Sequence, residues 1–372
     1  MWTWLEIDSN SLRSNVQEFQ KILTAQRCAF VLKSNAYGHG LKECYTAIAD
    51  LNLPLICTNY VTEALTLRDL GYRGRLMIVG PFVVEDLKAA YDYDLELFLG
   101  HLEGLEAWIK LVDKPKLHIE FDTGMSRQGF AIRDLSKVVQ KLSPFSANIK
   151  GLAMHFANVE DVNEHSYADL QLEKFDQVVK HFKAESFQVE VHAASSASAL
   201  ILENSRFDIC RVGISMYGFW PSVPTKISYA QINGKSGFNL KPVLSWKTIV
   251  TSINEIGSGQ FVGYGCTYRA RKAMKVAILP VGYFEGYPRL ASGTNAYVLI
   301  RGQRCPIVGR ICMNMMMVDV SDVESVAVED IATLIGQDGQ EAIQASDIGA
   351  WSQTIHYEIV TRLNPLLPKK VI

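Results

Sequence analysis

Alternation along the first 220 or so residues limits the folds open to this chain. Eight short apolar runs recur there, at residues 29–32, 55–57, 76–79, 95–99, 117–121, 149–154, 189–191 and 209–212. Amphipathic stretches at helical spacing lie between them, among others over 63–70, 85–91, 102–111, 135–142 and 170–182. Strands alternating with helices specify a parallel sheet with right-handed crossovers. Eight such units fit a closed (β/α)8 barrel, an α/β fold. An open doubly wound sheet is the alternative. It usually has fewer strands and often a Gly-rich fingerprint after the first, and no such fingerprint follows here. A further strand is expected ahead of the eight, over 3–7. A helix follows it, capped by Asp8 or Ser9 and carrying Leu12, Val16, Phe19, Ile22 and Leu23 on one face.

The pattern changes after about residue 220. Trp220–Pro224 and Ile232–Gly237 read as linker, rich in Pro, Gly and Ser. From Val243 the chain is rich in Val, Ile, Thr, Tyr and Gly, with strands expected over 246–253, 275–281, 296–300, 305–308 and 315–320. Helical spacing returns only over 345–351 and 358–363. We therefore expect two domains, a barrel over 1–230 and a mainly β domain over 231–372. A length of 372 residues accommodates both.

Charge and composition narrow the function. A net charge of -2 gives no footprint for nucleic acid or an anionic membrane surface. No run of eighteen apolar residues is present, so no membrane span is expected. The opening Met-Trp-Thr-Trp-Leu-Glu-Ile-Asp lacks the basic and apolar regions of a secretory signal. Seven scattered cysteines with no Cys-x-x-Cys pair suggest reduced thiols in a cytoplasmic protein and no metal site.

A barrel places its chemistry at the C-terminal ends of its strands. Lys33 ends the first run. Glu120, Asp122 and Arg127 end or follow the fifth, and His155 ends the sixth. His192, Ser195 and Ser196 follow the seventh, and Arg211 lies near the end of the eighth. A lysine ending a buried strand is partly desolvated, which lowers its pKa and frees its amine for Schiff-base chemistry. Such a lysine can also simply snorkel to the surface. A strand-end His is often structural, and a Ser at a helix start is often a cap. Their coincidence at one face is what points to a site.

The string Ala29-Phe-Val-Leu-Lys-Ser-Asn-Ala-Tyr-Gly-His-Gly40 closely resembles the pyridoxal-phosphate motif of the alanine racemase family. The segments Asp122-Thr-Gly-Met-Ser-Arg127, His155-Phe-Ala157, Cys210-Arg-Val-Gly-Ile-Ser-Met-Tyr-Gly218 and Val262-Gly-Tyr-Gly-Cys-Thr-Tyr268 resemble further family motifs, in the same order. The resemblance runs from Leu5 to about Pro368. It implies that Lys33 carries pyridoxal 5'-phosphate and that Tyr37 contacts its phosphate. Arg127 is implied to contact the cofactor phenolate and the substrate carboxylate, and His155 to lie on or near the pyridine ring. Arg211 would face the ring nitrogen. Ser196, Gly213, Ile214 and Tyr357 would serve the phosphate, and Ser195 stands where relatives often have Asn. Tyr264 is implied as the second base, Tyr283 as an entrance residue and Met313 as a substrate-binding backbone donor.

The activity so implied is interconversion of L- and D-alanine, Lys33 serving the D-enantiomer and Tyr264 the L-enantiomer, with D-alanine supplied to peptidoglycan. Homodimers sharing their sites are implied too, with Tyr264 and Met313 coming from the partner subunit. Three positions depart from the family pattern. Glu120 stands where many relatives have a lysine that becomes carbamylated, and an anionic side chain there would orient Arg127. Asn314 stands where Asp is common, and Lys369 where Arg is frequent. Asn314 keeps open a racemase of broader or different specificity, acting on serine or basic amino acids. A related decarboxylase would use a cysteine where Tyr264 stands. A non-catalytic cofactor-binding relative would lack the second domain.

Overall fold

The computed structural model describes residues 2–23, 28–51, 53–160, 164–234 and 238–372. They form two compact units. One comprises Asn10–Ser34 and Tyr45–Lys241, the other Met1–Ser9, Asn35–Cys44 and Pro242–Ile372. The units interleave along the chain, because the first strand and residues 35–44 belong with the C-terminal segment.

The chain enters through β1 (Thr3–Ile7) and the helix Ser9–Leu23, whose Leu12, Val16, Phe19 and Leu23 are buried. The barrel unit is then built from β2 (Cys28–Val31), β3 (Leu55–Thr58), β4 (Arg75–Ile78), β5 (Leu95–Leu99) and β6 (Lys116–Asp122). A two-residue strand, β7 (Phe130–Ala131), pairs with the end of β6. β8 (Ile149–Ala153), β9 (Glu190–His192) and β10 (Cys210–Val212) follow. The sheet order is β10-β2-β3-β4-β5-β6-β8-β9, parallel throughout. Its two edge strands meet through backbone hydrogen bonds, Asp208 N–H to Val191 O at 2.9 Å and Arg211 N–H to Ala194 O at 2.9 Å. The result is a nearly closed eight-stranded barrel. β2, β3 and β5 are buried at every position, which is why they read as unbroken apolar runs in place of alternating ones.

One expectation fails in this unit. Residues 223–224 and 232–233 of the two expected linkers belong to the helix Val223–Asn233. Ser222 caps it, its Oγ accepting from Thr225 N at 3.1 Å, and Pro224 falls in the first turn, where a missing N–H costs nothing. Residues 235–237 of the second expected linker lie outside the described residues.

The other unit is mainly β. Its larger sheet contains β1, β11 (Leu244–Ile249), β16 (Tyr297–Ile300), β17 (Gln303–Pro306), β19 (Ile331–Asp338) and β21 (Lys369–Val371), in the order β17-β16-β19-β11-β1-β21, and β20 (Glu341–Ile343) pairs with β19. A three-stranded sheet joins β12 (Ser252–Ile256), β15 (Met274–Leu279) and β18 (Met316–Asp319), and β13 (Phe261–Val262) pairs with β14 (Tyr268–Arg269). The helices Ala345–Trp351 and His356–Thr361 complete it. Sequence reading missed β19, although it is the longest strand of the larger sheet. The expected single strand over 246–253 is two strands that belong to different sheets.

Candidate active site

Lys33 directly follows β2, where Leu32 N–H bonds to Cys57 O at 2.9 Å. Lys33 is half-buried, and desolvation, reinforced by the charges of Arg127 and Arg211, lowers its pKa. The four residues after it, Ser34 to Tyr37, all have φ between 51° and 55°. They form a left-handed turn of L-residues, each carrying about 1–2 kcal/mol of strain. Only Asn35 is of a type that tolerates this region well. Local hydrogen bonds hold the turn: Gly40 N–H to Asn35 O at 3.0 Å, and Leu41 N–H to Asn35 Oδ1 at 2.8 Å. His39 is buried behind it, with Nδ1 placed to donate to the carbonyls of Ala36 and Tyr37. Burial pushes the His39 pKa down to about 4, so it braces the turn as a neutral ring. Gly38 has φ +82°, and a Cβ there would lie 1.8 Å from Val360 O. In the same unit the rings of Tyr37 and Tyr357 lie 6.4 Å apart.

Arg211 is buried on β10, and its described partners hold its guanidinium from several sides. Nη1 donates to His192 Nδ1 at 2.6 Å, and Nη2 donates to Met154 O at 2.8 Å and Ala193 O at 3.2 Å. Nη2 also lies 3.3 Å from His155 Nδ1. None of these partners is a carboxylate. Desolvation, followed by the charges of Arg211, Arg127 and Lys33, drives the His155 pKa well below its usual value, so the ring is neutral.

Beside β10, Ser196 Oγ accepts from Gly213 N at 2.9 Å, which ties together the two loops proposed for a phosphate. That N–H, expected to serve the phosphate, is directed at Ser196 here. Ser195 N–H donates to Ser198 Oγ at 2.9 Å, so the Ser198 side chain reaches back to the start of the helix Ser196–Ile201. Ser215 Oγ, one residue past Ile214, is buried with no hydrogen-bond partner among the described residues.

The loop after β6 is organised by Asp122, whose Oδ1 accepts from the N–H groups of Gly124, Met125 and Ser126 at 2.9–3.0 Å. This Asx-type turn presents Arg127, which is exposed. Glu120 is 3% exposed. Its described hydrogen-bond partner is the side-chain amide of Gln128, and it forms no ion pair with Arg127 among the described residues. Burial raises its carboxyl to about 7, against the opposing pull of Arg211, the Gln128 hydrogen bond and Arg127. Sequence reading missed Gln128. It also missed Gln171, whose amide bonds Thr123 Oγ1, His155 O and Ala157 N and so joins the loops carrying Arg127 and His155. Gln128 was findable as the neighbour of Arg127. Gln171 sits on a helix with no motif around it.

In the mainly β unit, Tyr264 opens the short turn Tyr264–Cys266 between β13 and β14 and is 69% exposed. Gly263 precedes it at φ +78°, where a Cβ would fall 3.2 Å from Arg310 N. Met313 is 56% exposed, and Tyr283, Phe284 and Met315 of this unit are exposed as well. Asn314 donates to Glu285 Oε1 at 2.8 Å, and Lys369 donates to Pro365 O and Leu367 O.

Two family descriptions, alanine racemase N-terminal domain and alanine racemase C-terminal domain, match residues 7–221 and 243–371. The chain belongs to the alanine racemase family. It is 36% identical to alanine racemase of Leptospira interrogans, over 100% of this chain and 96% of that protein. With alanine racemase of Methanococcus maripaludis it shares 32% identity over 98% of this chain and 97% of the relative. The structure of alanine racemase from Bacillus anthracis, solved with bound L-Ala-P, matches at a TM-score of 0.89 and 31% identity, covering 100% of this chain and 95% of the other. That from Bartonella henselae, solved with covalently bound pyridoxal phosphate, matches at 0.87 and 26%, with 100% of both chains covered. The barrel followed by a mainly β region is the family's architecture. Among the described residues no helix is long and apolar enough to cross a membrane.

Proposed function

We propose that this chain interconverts L- and D-alanine by a pyridoxal-phosphate-dependent two-base mechanism. The observation that carries the reading is the grouping at the strand ends of one unit: an amine with a lowered pKa (Lys33), a caged guanidinium without a carboxylate partner (Arg211) and a second guanidinium on a braced loop (Arg127). That donor set fits the cofactor. It offers an amine for the aldehyde, and hydroxyl and backbone donors for a phosphate around Ser196 and Ile214, with the Ser215 hydroxyl as a buried donor awaiting an acceptor. When bound, pyridoxal phosphate supplies electron withdrawal from the α-carbon, which makes its proton removable.

The residues then divide the work. Lys33 holds the cofactor and handles the α-proton of D-alanine; Tyr264 handles that of L-alanine. Removal by one base and return by the other inverts the carbon. Arg127 takes the substrate carboxylate, for which a planar donor fork is suited. Arg211 faces the ring nitrogen and, as a group that keeps its protons, leaves that nitrogen unprotonated. Neutral His155 lies against the ring. Tyr37, Ser196, Ile214 and Tyr357 serve the phosphate, with the Gly213 N–H holding Ser196, and Tyr283 lines the entrance. Glu120 supplies, without carbon dioxide, the anion that relatives obtain by carbamylating a lysine. It acts on Arg127 through its field.

Exposure of Tyr264 and Met313 supports a homodimer in which each subunit's Tyr264 and Met313 complete the partner's site, since a base of this kind works in a site closed to water. D-alanine for peptidoglycan and a cytoplasmic location complete the proposal. Chirally resolved assays over a panel of amino acids test it. Racemisation of alanine is expected to dominate, and faster turnover of serine or of basic amino acids would overturn the substrate assignment. Asn314, held by Glu285, is the reason those two classes belong in the panel.

A further inference from the structure

A barrel of this kind is normally filled by layers of apolar side chains. This one holds a polar column. From Arg211 the column runs through His192 on β9 and His118 on β6 to Glu96 on β5, all four buried. His192 Nε2 lies 2.8 Å from His118 Nδ1, and His118 Nε2 lies 2.8 Å from Glu96 Oε2. Glu96 is held from its other side by Arg75, through Nε at 2.8 Å and Nη2 at 3.0 Å. Arg75 is partly exposed and is shared with Glu190, so the column ends at the surface.

The direction of every hydrogen bond in the column is determined. Arginine only donates, so His192 Nδ1 accepts. The proton of neutral His192 is then on Nε2 and goes to His118 Nδ1. The proton of His118 is in turn on Nε2 and goes to Glu96. A doubly protonated His118 would point an N–H at the N–H of His192 and break the chain. Between the Glu96 carboxylate and the Arg211 guanidinium stand two neutral rings, so one negative and one positive charge close the buried column.

Two further features show that the barrel is built around this column. β8 lies between β6 and β9, and at Gly151 a Cβ would lie 2.2 Å from His118 Nδ1. Only glycine leaves the lane through which His118 reaches His192. Phe98 sheathes the column, its centroid 5.4 Å from that of His192, 5.9 Å from that of His118 and 5.8 Å from Arg211 Cζ. Desolvating such groups is expensive, and an apolar core is the cheaper filling.

We propose that Glu96, His118 and His192 are positioning residues that fix the guanidinium of Arg211 from within the barrel, with Glu96 as the remote anion that sets both imidazole tautomers. The functional part rests on the role proposed for Arg211; the tautomer assignment does not. ¹⁵N-histidine NMR of the full-length protein, with and without pyridoxal phosphate, tests the assignment directly. Both rings are expected as Nε2–H tautomers, and an Nδ1–H tautomer at either one overturns the column. Glu96→Gln is expected to fold, to shift both imidazole signals and to lower kcat about tenfold, as loss of the outer partner of a ligating histidine does, with KM for alanine unchanged. Absorption of the bound cofactor should shift with it. Glu190→Gln removes the other partner of Arg75 and should move none of these. Equal effects from the two variants, or an unmoved Glu96→Gln, would reduce the column to a structural ion cluster and overturn the proposal. The role of Arg211 is read separately, in Arg211→Lys: unmoved cofactor absorption there would sink that role, while the wild-type tautomers still decide the column.

Discussion

The barrel unit and the mainly β unit each carry one proposed base, and they treat it in opposite ways. Lys33 is half-buried and depressed in pKa, and the barrel unit's other candidate groups are already bonded: Arg211 to the carbonyls of Met154, His192 and Ala193 and to the rings of His192 and His155, Glu120 to Gln128, Ser196 to Gly213. Tyr264 stands on a short glycine-flanked turn and is 69% exposed, and Met313, Met315 and Phe284 of the same unit are exposed too. One unit is preorganised before anything binds. The other presents a reactive group that its own fold leaves to solvent. The contrast supports the proposal that a partner subunit covers the exposed half.

The comparison can be broken most forcefully at Lys33. Lys33→Ala should abolish covalent cofactor attachment and cut racemisation roughly 10,000-fold, the upper end for an acid–base group. Borohydride followed by peptide mapping should place the label on Lys33 in the wild type, and a label on another lysine would refute the assignment. Tyr264→Phe comes next. Exchange of the α-proton from L-alanine should fall roughly 1,000-fold, with a smaller loss from D-alanine. Equal losses for both enantiomers would remove Tyr264 as a face-specific base. Mixing the Lys33→Ala and Tyr264→Phe proteins should recover activity if subunits share sites, and no recovery after demonstrated subunit exchange would count against sharing.

Glu120→Gln sharpens the contrast within the barrel unit. It should lower kcat/KM for alanine about tenfold while cofactor binding persists, about 1.4 kcal/mol of transition-state stabilisation. Wild-type activity should not depend on bicarbonate. The same variant carries a pH signature. Burial, opposed by Arg211, Gln128 and Arg127, holds the folded-state carboxyl at about 7, above its ordinary 4.5. The native state therefore binds this proton more tightly than the unfolded state, and wild-type stability falls as pH rises through that window. Relative to Glu120→Gln, the wild type should lose up to about 3 kcal/mol between pH of about 5 and 8, read from thermal or denaturant melts. A constant difference would show that Glu120 does not titrate there. The smallest effect is expected at Ser198, whose Oγ receives the Ser195 N–H. Ser198→Ala should cost about 1 kcal/mol of stability and leave turnover unchanged.

The apolar runs located all eight barrel strands to within a residue or two, because a strand buried on both faces is mostly apolar along its length. Strands of the second unit were less legible. β19 (Ile331-Ala-Thr-Leu-Ile-Gly-Gln-Asp338) was overlooked, since it mixes buried and exposed positions and contains a glycine. The two ends of the helix Val223–Asn233 were read as linker because prolines at its start and glycines past its end outweighed its cap. Lys33, Arg127, His155, Ser196 and Arg211 were singled out because they stand in contiguous strings at strand ends.

By itself the sequence determined which reactive groups exist and in what order the barrel brings them to its strand ends, because strand periodicity and motif spacing are local properties. It also determined the glycines at 38, 151 and 263, though not what each makes room for. Tertiary structure alone decided the partners. Glu120 meets Gln128, and Glu96 reaches Arg211 through two histidines 74 residues apart. Such pairings depend on which side chains a closed sheet turns inward at the same level. Burial then sets their charge states and hydrogen-bond directions, and no spacing along the chain records that depth.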